Sequence, residues 1–282
     1  MALHVSRIQL RRCALAVSVL LDLDLEPHSD GVIVAGVPPV VVGWRECRAA
    51  LAGTSPDTAE GRTLLARWLL RRRWIADHTL DDLAERARPV GLPWGHALHP
   101  GAAWVRETVV GGSLDLGLGF IGLQPGQPDR VIIVPQGVFD TVGTDVGAFW
   151  KRAKAYLEEM GELAVARWRR DRGAVVRPMG DCDVVTLLGS RNFRWAVSAE
   201  DPHGMRAAVV PMRTRGWLDV SRIDPAFGPA AATATDAVDR GFARPVLVTA
   251  DEVIVVRAGG RPESALADPA PARNWLRPLL YR

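Results

Sequence analysis

The sequence predicts an α+β fold built mostly from antiparallel sheet. Strand patterns come in runs instead of alternating with helices, and helical periodicity is confined to a helix-rich segment near 55–88 and one long helix near 145–172. The composition, 48% hydrophobic and 24% charged, is that of a folded globular chain and excludes intrinsic disorder as the general state. At 282 residues one α+β domain over 1–282 is expected. A boundary, if present, falls near 89–101, separating an N-terminal α/β part (1–95) from a β-rich part with the long helix (96–256). Residues 257–282 read as a Pro/Ala/Gly-rich linker and an apolar docking tail, "NWLRPLLYR".

Taken in order, "RRCALAVSVLLDLDL" opens with arginines before an apolar run. Asp22 and Asp24 interrupt the run and no small-residue cleavage site follows, which argues against a signal peptide; it is also too short to span a bilayer. Leu21, Leu23 and Leu25 alternate with Asp22, Asp24 and Glu26, the pattern of a strand. "GVIVAGVPPVVVGW" reads as two short strands about Pro38 and Pro39. Ser55 before Pro56 and Asp57 suits a helix start, and Leu64, Leu65, Trp68, Leu69 and Ile75 share one helical face. Thr79 and Asp82 resemble a capping box for a second helix reaching Ala87.

Three prolines and three glycines between Pro89 and Gly101 predict an irregular connection. Trp104 to Pro135 is β in pattern, Thr144 is placed to cap the long helix, and Phe149, Ala153, Tyr156, Leu157, Met160, Leu163, Ala164 and Trp168 form its apolar stripe. Residues 181–218, with Phe193, Trp195 and Val197 on one side, read as an antiparallel meander; 244–256 reads as a hairpin.

"GLGFIG" (117–122) matches the dinucleotide pattern, but such a site needs its glycines at a strand-to-helix turn. Here "LQPGQPDR" follows, which cannot begin a helix, and then another strand. Leu114, Leu116, Leu118 and Phe120 alternate as one strand would, so no NAD or FAD is expected at 117–122.

Of 35 basic residues only Lys151 and Lys154 are lysines, an arginine excess that fits the codon bias of a GC-rich bacterial genome. The arginines at 67, 71, 72 and 73 and at 167, 169, 170 and 172 fall at helix ends, where they complement the helix dipole. With acidic Asp81, Asp82 and Glu85 nearby and no room for a recognition helix, nucleic-acid binding ranks third among the functions considered. Three well-separated cysteines without C-x-x-C oppose both a disulfide framework and a cysteine zinc site, consistent with a cytoplasmic protein.

The candidate catalytic residues are Asp181 and Asp183 in "GDCD", which strand alternation would put on one face. Arg213 and Arg215 are the candidate anion contacts, and His96 and His99 in "GHALHPG" the candidate metal ligands, although H-x-x-H in a loop lacks the H-E-x-x-H spacing. No base, nucleophile or phosphate loop is tied to these groups by spacing. The leading expectation is therefore a protein-binding or self-associating module, with protein partner or homo-oligomer contacts through the tail and arginine/tryptophan surfaces. The alternative is a metal-assisted or acid/base hydrolase or transferase acting on a small anionic substrate. No membrane partner is expected.

Overall fold

The computed structural model describes residues 5–100, 103–140, 144–171, 175–218, 220 and 223–256. They form nine helices and three antiparallel sheets, an α+β fold. The chain divides into two compact units that part between Glu85 and Arg86.

The first unit starts with α1 (Arg7–Leu21), where Ser6 and Gln9 form a capping box. Leu10, Cys13, Ala14 and Val17 are its buried face, at the i, i+3, i+4, i+7 spacing of a helix. The expected strand through Leu21, Leu23 and Leu25 is thus shortened: α1 runs to Leu21, Asp22 caps it in the left-handed region at φ 50°, and the strand β1 (Leu25–Pro27) starts only at Leu25. The S-x-x-Q signature that favours the helix lies upstream of the alternating leucines. β2 (Gly31–Val34) and β3 (Val40–Gly43) flank the two prolines as expected, and the three strands form a meander in the order β1-β2-β3.

α2 (Trp44–Ala50), α3 (Ala59–Ala76) and α4 (Leu80–Arg86) follow. Thr58, not Ser55, caps α3, accepting from the Gly61 amide at 3.0 Å. The Thr79/Asp82 capping box is present, with Asp82 N–H donating to Thr79 Oγ1 at 3.1 Å and Thr79 N–H donating to Asp82 Oδ2 at 3.2 Å. Two of the five arginines of α3, Arg72 and Arg73, are buried. Arg72 pairs with Glu46 at 2.9 Å, and Arg73 donates to the Pro38 carbonyl at 2.6 Å and pairs with Asp77.

In the second unit the irregular connection expected after Ala87 is instead a strand, β4 (Ala87–Pro93), antiparallel to β6 (Leu114–Ile121) along its whole length. Proline is tolerated here because β4 is an edge strand. The Gly91 N–H points away from β6 and donates to Thr186 Oγ1 at 2.8 Å, and Pro89 and Pro93, two residues either side, would have aimed their missing N–H groups the same way. β5 (Arg106–Thr108) and β7 (Val131–Ile133) pair with successive parts of β6 on its other side.

The GLGFIG glycines therefore lie in and just after a central strand. A Cβ on Gly117 would come within 2.2 Å of the Trp104 indole, and one on Gly119 within 2.7 Å of Val90 and Val131. Gly117→Ala is expected to lower stability by about 1–3 kcal/mol through forced repacking of Trp104, read as a lower urea midpoint at unchanged m-value.

After α5 (Gln136–Asp140), α6 (Val146–Arg170) is capped by Asp145, one residue past the expected Thr144. Phe149, Ala153, Leu157, Met160, Ala164 and Trp168 bury its stripe, while Leu163 stays exposed. β8 (Val175–Val176) is followed by two helices, α7 (Val184–Leu187) and α8 (Arg191–Ala199), in place of the expected first half of the meander. Ser190 caps α8 by accepting from the Phe193 amide at 3.1 Å, and Glu158 accepts from Ser190 Oγ and from the Arg191 and Asn192 amides at 2.8–2.9 Å. Phe193 and Val197 are buried one turn apart, and Trp195 is 62% exposed, which a strand alternation would not produce.

β9 (Met205–Met212) and β10 (Arg215–Trp217), then α9 (Phe227–Ala234) and the expected hairpin β11 (Val246–Thr249) and β12 (Val253–Val255), complete the unit. The five-stranded sheet has the order β12-β11-β9-β10-β8. The linker and tail expected at 257–282 lie outside the described residues.

Candidate acid–base site

"GDCD" does not form a strand. Met179 and Cys182 exchange backbone hydrogen bonds about a tight turn with Gly180 at φ 53°, and Asp183 caps α7 by accepting from the Thr186 amide at 2.7 Å. The two carboxylates therefore take different partners instead of sharing a face. Asp181 accepts from Arg88 Nε at 2.5 Å and from the Tyr156 hydroxyl at 3.2 Å, with the Arg88 guanidinium 4.5 Å above the Tyr156 ring. Asp183 accepts from Arg213 Nε at 2.6 Å. Arg213 lies in the turn between β9 and β10, and Arg215 is exposed at the start of β10. Cys182 is buried, and burial first, then Asp183 and Asp181, pushes its thiol far above the ordinary range.

The two histidines have unlike surroundings. His96 is buried; its Nδ1 accepts from the Leu98 amide at 3.0 Å, so its Nε2 carries the proton and donates to the Arg240 carbonyl at 3.0 Å. Burial and the nearby Arg213 charge lower its pKa to about 4, against smaller opposing effects of the Arg240 carbonyl and Asp183. His96 is a neutral tie between its loop and the segment around Arg240, with both ring nitrogens engaged.

His99 instead meets a carboxylate that sequence reasoning had not singled out. Asp115, on β6, is fully buried and accepts from His99 Nε2 at 2.8 Å and from Thr108 Oγ1 at 2.6 Å, and Arg106 Nε lies 3.3 Å from the same carboxylate. Burial taken alone raises the pKa of Asp115, but the bonds from His99 and Thr108 and the charge of Arg106 together hold it below the ordinary value. Asp115 is thus ionised, and His99 presents a protonated Nε2 to it.

Packing fixes the imidazole further. Trp104 and Trp94 meet the His99 ring edge-on, at centroid distances of 5.4 and 6.5 Å. Trp104 is itself held by its Nε1–H bond to the Leu118 carbonyl, in the space that Gly117 leaves open. The buried Asp115 is the centre of a polar group whose outer members, His99 and Arg106, reach partly into solvent at 15% and 24% side-chain exposure.

The available signal was one acidic residue in a strand of leucine, glycine and phenylalanine. Alternation alone does not show that the Asp115 face is buried; both faces of β6 are covered along most of its length. Among the described residues no group of three or more His, Cys, Asp or Glu side chains could hold a metal ion, and no helix is long and apolar enough to cross a membrane.

These features define an α+β protein with an oriented histidine–carboxylate pair in its second unit. Comparison with protein-family models, with curated proteins and with solved structures finds no match in any of the three.

Proposed function

We propose that the second unit carries an acid–base site acting on a small anionic substrate, with His99 as the general base. The observation that carries this reading is the fully buried, ionised Asp115 bonded to the Nε2 of a partly exposed histidine. That arrangement orients the ring and supports its protonated form when it exchanges a proton with water or a substrate hydroxyl. Arg106, anchored on the same carboxylate, supplies positive charge for the anion. Asp181, Asp183 and Arg213, first considered for chemistry, act in this reading as turn, cap and ion-pair residues around it. Arg215 remains a candidate anion contact.

The test is hydrolysis of p-nitrophenyl acetate and p-nitrophenyl phosphate by the wild type, His99→Ala and His99→Gln. We expect turnover of at least one ester to fall by about 10²–10⁴-fold on loss of the imidazole, the usual contribution of a positioned acid or base. Turnover indifferent to both variants, or none with either ester and no thermal shift with phosphate or sulfate, would overturn the reading.

Partner binding is the second reading, favoured by the large apolar side chains that α1 leaves exposed in the first unit. Of the tryptophans beside arginines, Trp44 and Trp168 are buried, Trp68 and Trp74 are half-buried and Trp195 is exposed. A cytoplasmic setting remains part of this proposal. Its own test is sedimentation and pull-down with the full chain and with a chain ending at 256; a monomer that captures nothing in either form would remove it.

A further inference from the structure

α1 carries its charges against its own dipole. The first turn holds no acidic residue and the last turn no basic one; Arg7, Arg11 and Arg12 are exposed in its first half, and Asp22 and Asp24 are exposed at and just beyond its end. Each such placement is unfavourable for an isolated helix, whose N-terminus prefers anions and C-terminus cations. Between the charged ends Ile8, Leu15 and Val19 share the outward face, at i, i+7 and i+11, and are 67, 47 and 84% exposed, with Leu20 and Leu21 exposed beside them. The opposite face, Leu10, Cys13, Ala14 and Val17, is the one spent on the core. α1 is thus apolar on both sides, and its outer stripe ends in basic charge at one end and acidic charge at the other.

That pattern is self-complementary. We propose that α1 is the contact between two copies of this chain, packed antiparallel about a two-fold axis near Leu15. Leu15 then meets Leu15 of the second copy, and Ile8 packs one turn from Val19 of the second copy. Arg7 and Arg11 extend toward Asp22 and Asp24 of the second copy, so each charge that opposes its own helix dipole meets an opposite charge, and the two dipoles run antiparallel. A two-fold interface needs one patch that complements itself, and a basic–apolar–acidic stripe is such a patch. The inference deepens the partner-binding reading by naming the partner as a second copy, and it is independent of the acid–base site.

The experiment is sedimentation equilibrium of the full chain from low to high micromolar concentration, with thermal melts as a folding control. The wild type is expected to dimerise. Leu15→Glu, a change at an exposed position, is expected to keep a cooperative melt, now independent of concentration, and to leave the chain monomeric. Arg11→Glu alone and Asp22→Lys alone are each expected to raise the dimer dissociation constant at least about tenfold, because each homodimer then opposes like charges twice. Mixing these two variants is expected to restore dimers, since the mixed pair again matches opposite charges at both ends. A wild type that is monomeric throughout, a dimer indifferent to Leu15→Glu, or a mixture no tighter than its components would overturn the pairing. A monomer would leave the broader partner reading to its own pull-down test.

Discussion

Asp115→Ala is expected to destabilise the protein by about 3–5 kcal/mol at neutral pH, because removing one member of a buried charged group strands its partners. His99 and Thr108 donate to this one carboxylate, Arg106 pairs its charge with it, and the carboxylate is fully buried. Asp115→Asn keeps the volume and one acceptor oxygen and is expected to cost less. It should still disturb His99, because a neutral amide no longer favours a proton on Nε2 and cannot stabilise an imidazolium. The stability loss is read from urea unfolding. The folded-state pKa of Asp115 is depressed, so its contribution is fully present above the ordinary carboxylate pKa and disappears as pH falls through the lowered value. The gap between wild type and Asp115→Ala should therefore narrow in acid. A gap that is small at pH 7, or that widens in acid, would contradict the role assigned to this carboxylate.

The second large effect belongs to His96 and has a different pH window. Burial and Arg213 take its pKa from 6.5 down to about 4, so the folded chain holds it neutral while the unfolded chain protonates it below the ordinary value. Stability tied to neutral His96 is complete above pH 6.5 and is lost as pH falls toward 4. A difference of this size is worth about 3 kcal/mol. His96→Gln keeps a donor for the Arg240 carbonyl but has no group that titrates in this range. We expect urea unfolding at pH 7 and pH 4.5 to show a steeper acid loss for the wild type than for His96→Gln. Parallel losses would mean that His96 is not held neutral in the fold.

How far the sequence reached is clearest at three places. The 3.6-residue stripe of α6 and the Thr79/Asp82 box are local patterns, and both are present in the structure with a helix start shifted by one residue at α6. At α8 the sequence offered two-residue alternation of Phe193, Trp195 and Val197, and a helix formed instead. What decided it is Glu158 on α6, thirty-odd residues away, whose carboxylate accepts from Ser190, Arg191 and Asn192 and so satisfies the amides at the start of that helix. At β4 the prolines argued for a loop, and the strand survives because its N–H-deficient edge faces α7 and not a second strand.

By itself, then, the sequence determined the α+β class, the apolar periods of the long helices, the hairpins about turn residues and the reading of GLGFIG as strand. Each of these rests on interactions between residues near one another in the chain. Tertiary structure decided the site. Asp115 and His99 are sixteen positions apart, and His96 reaches the Arg240 carbonyl across 144. Only the pairing of β6 with both β4 and β5 buries Asp115 and brings Thr108 and Arg106 to it. A carboxylate acquires the power to orient a histidine when it is withdrawn from water, and burial is a property of the packed sheet that no short stretch of sequence contains.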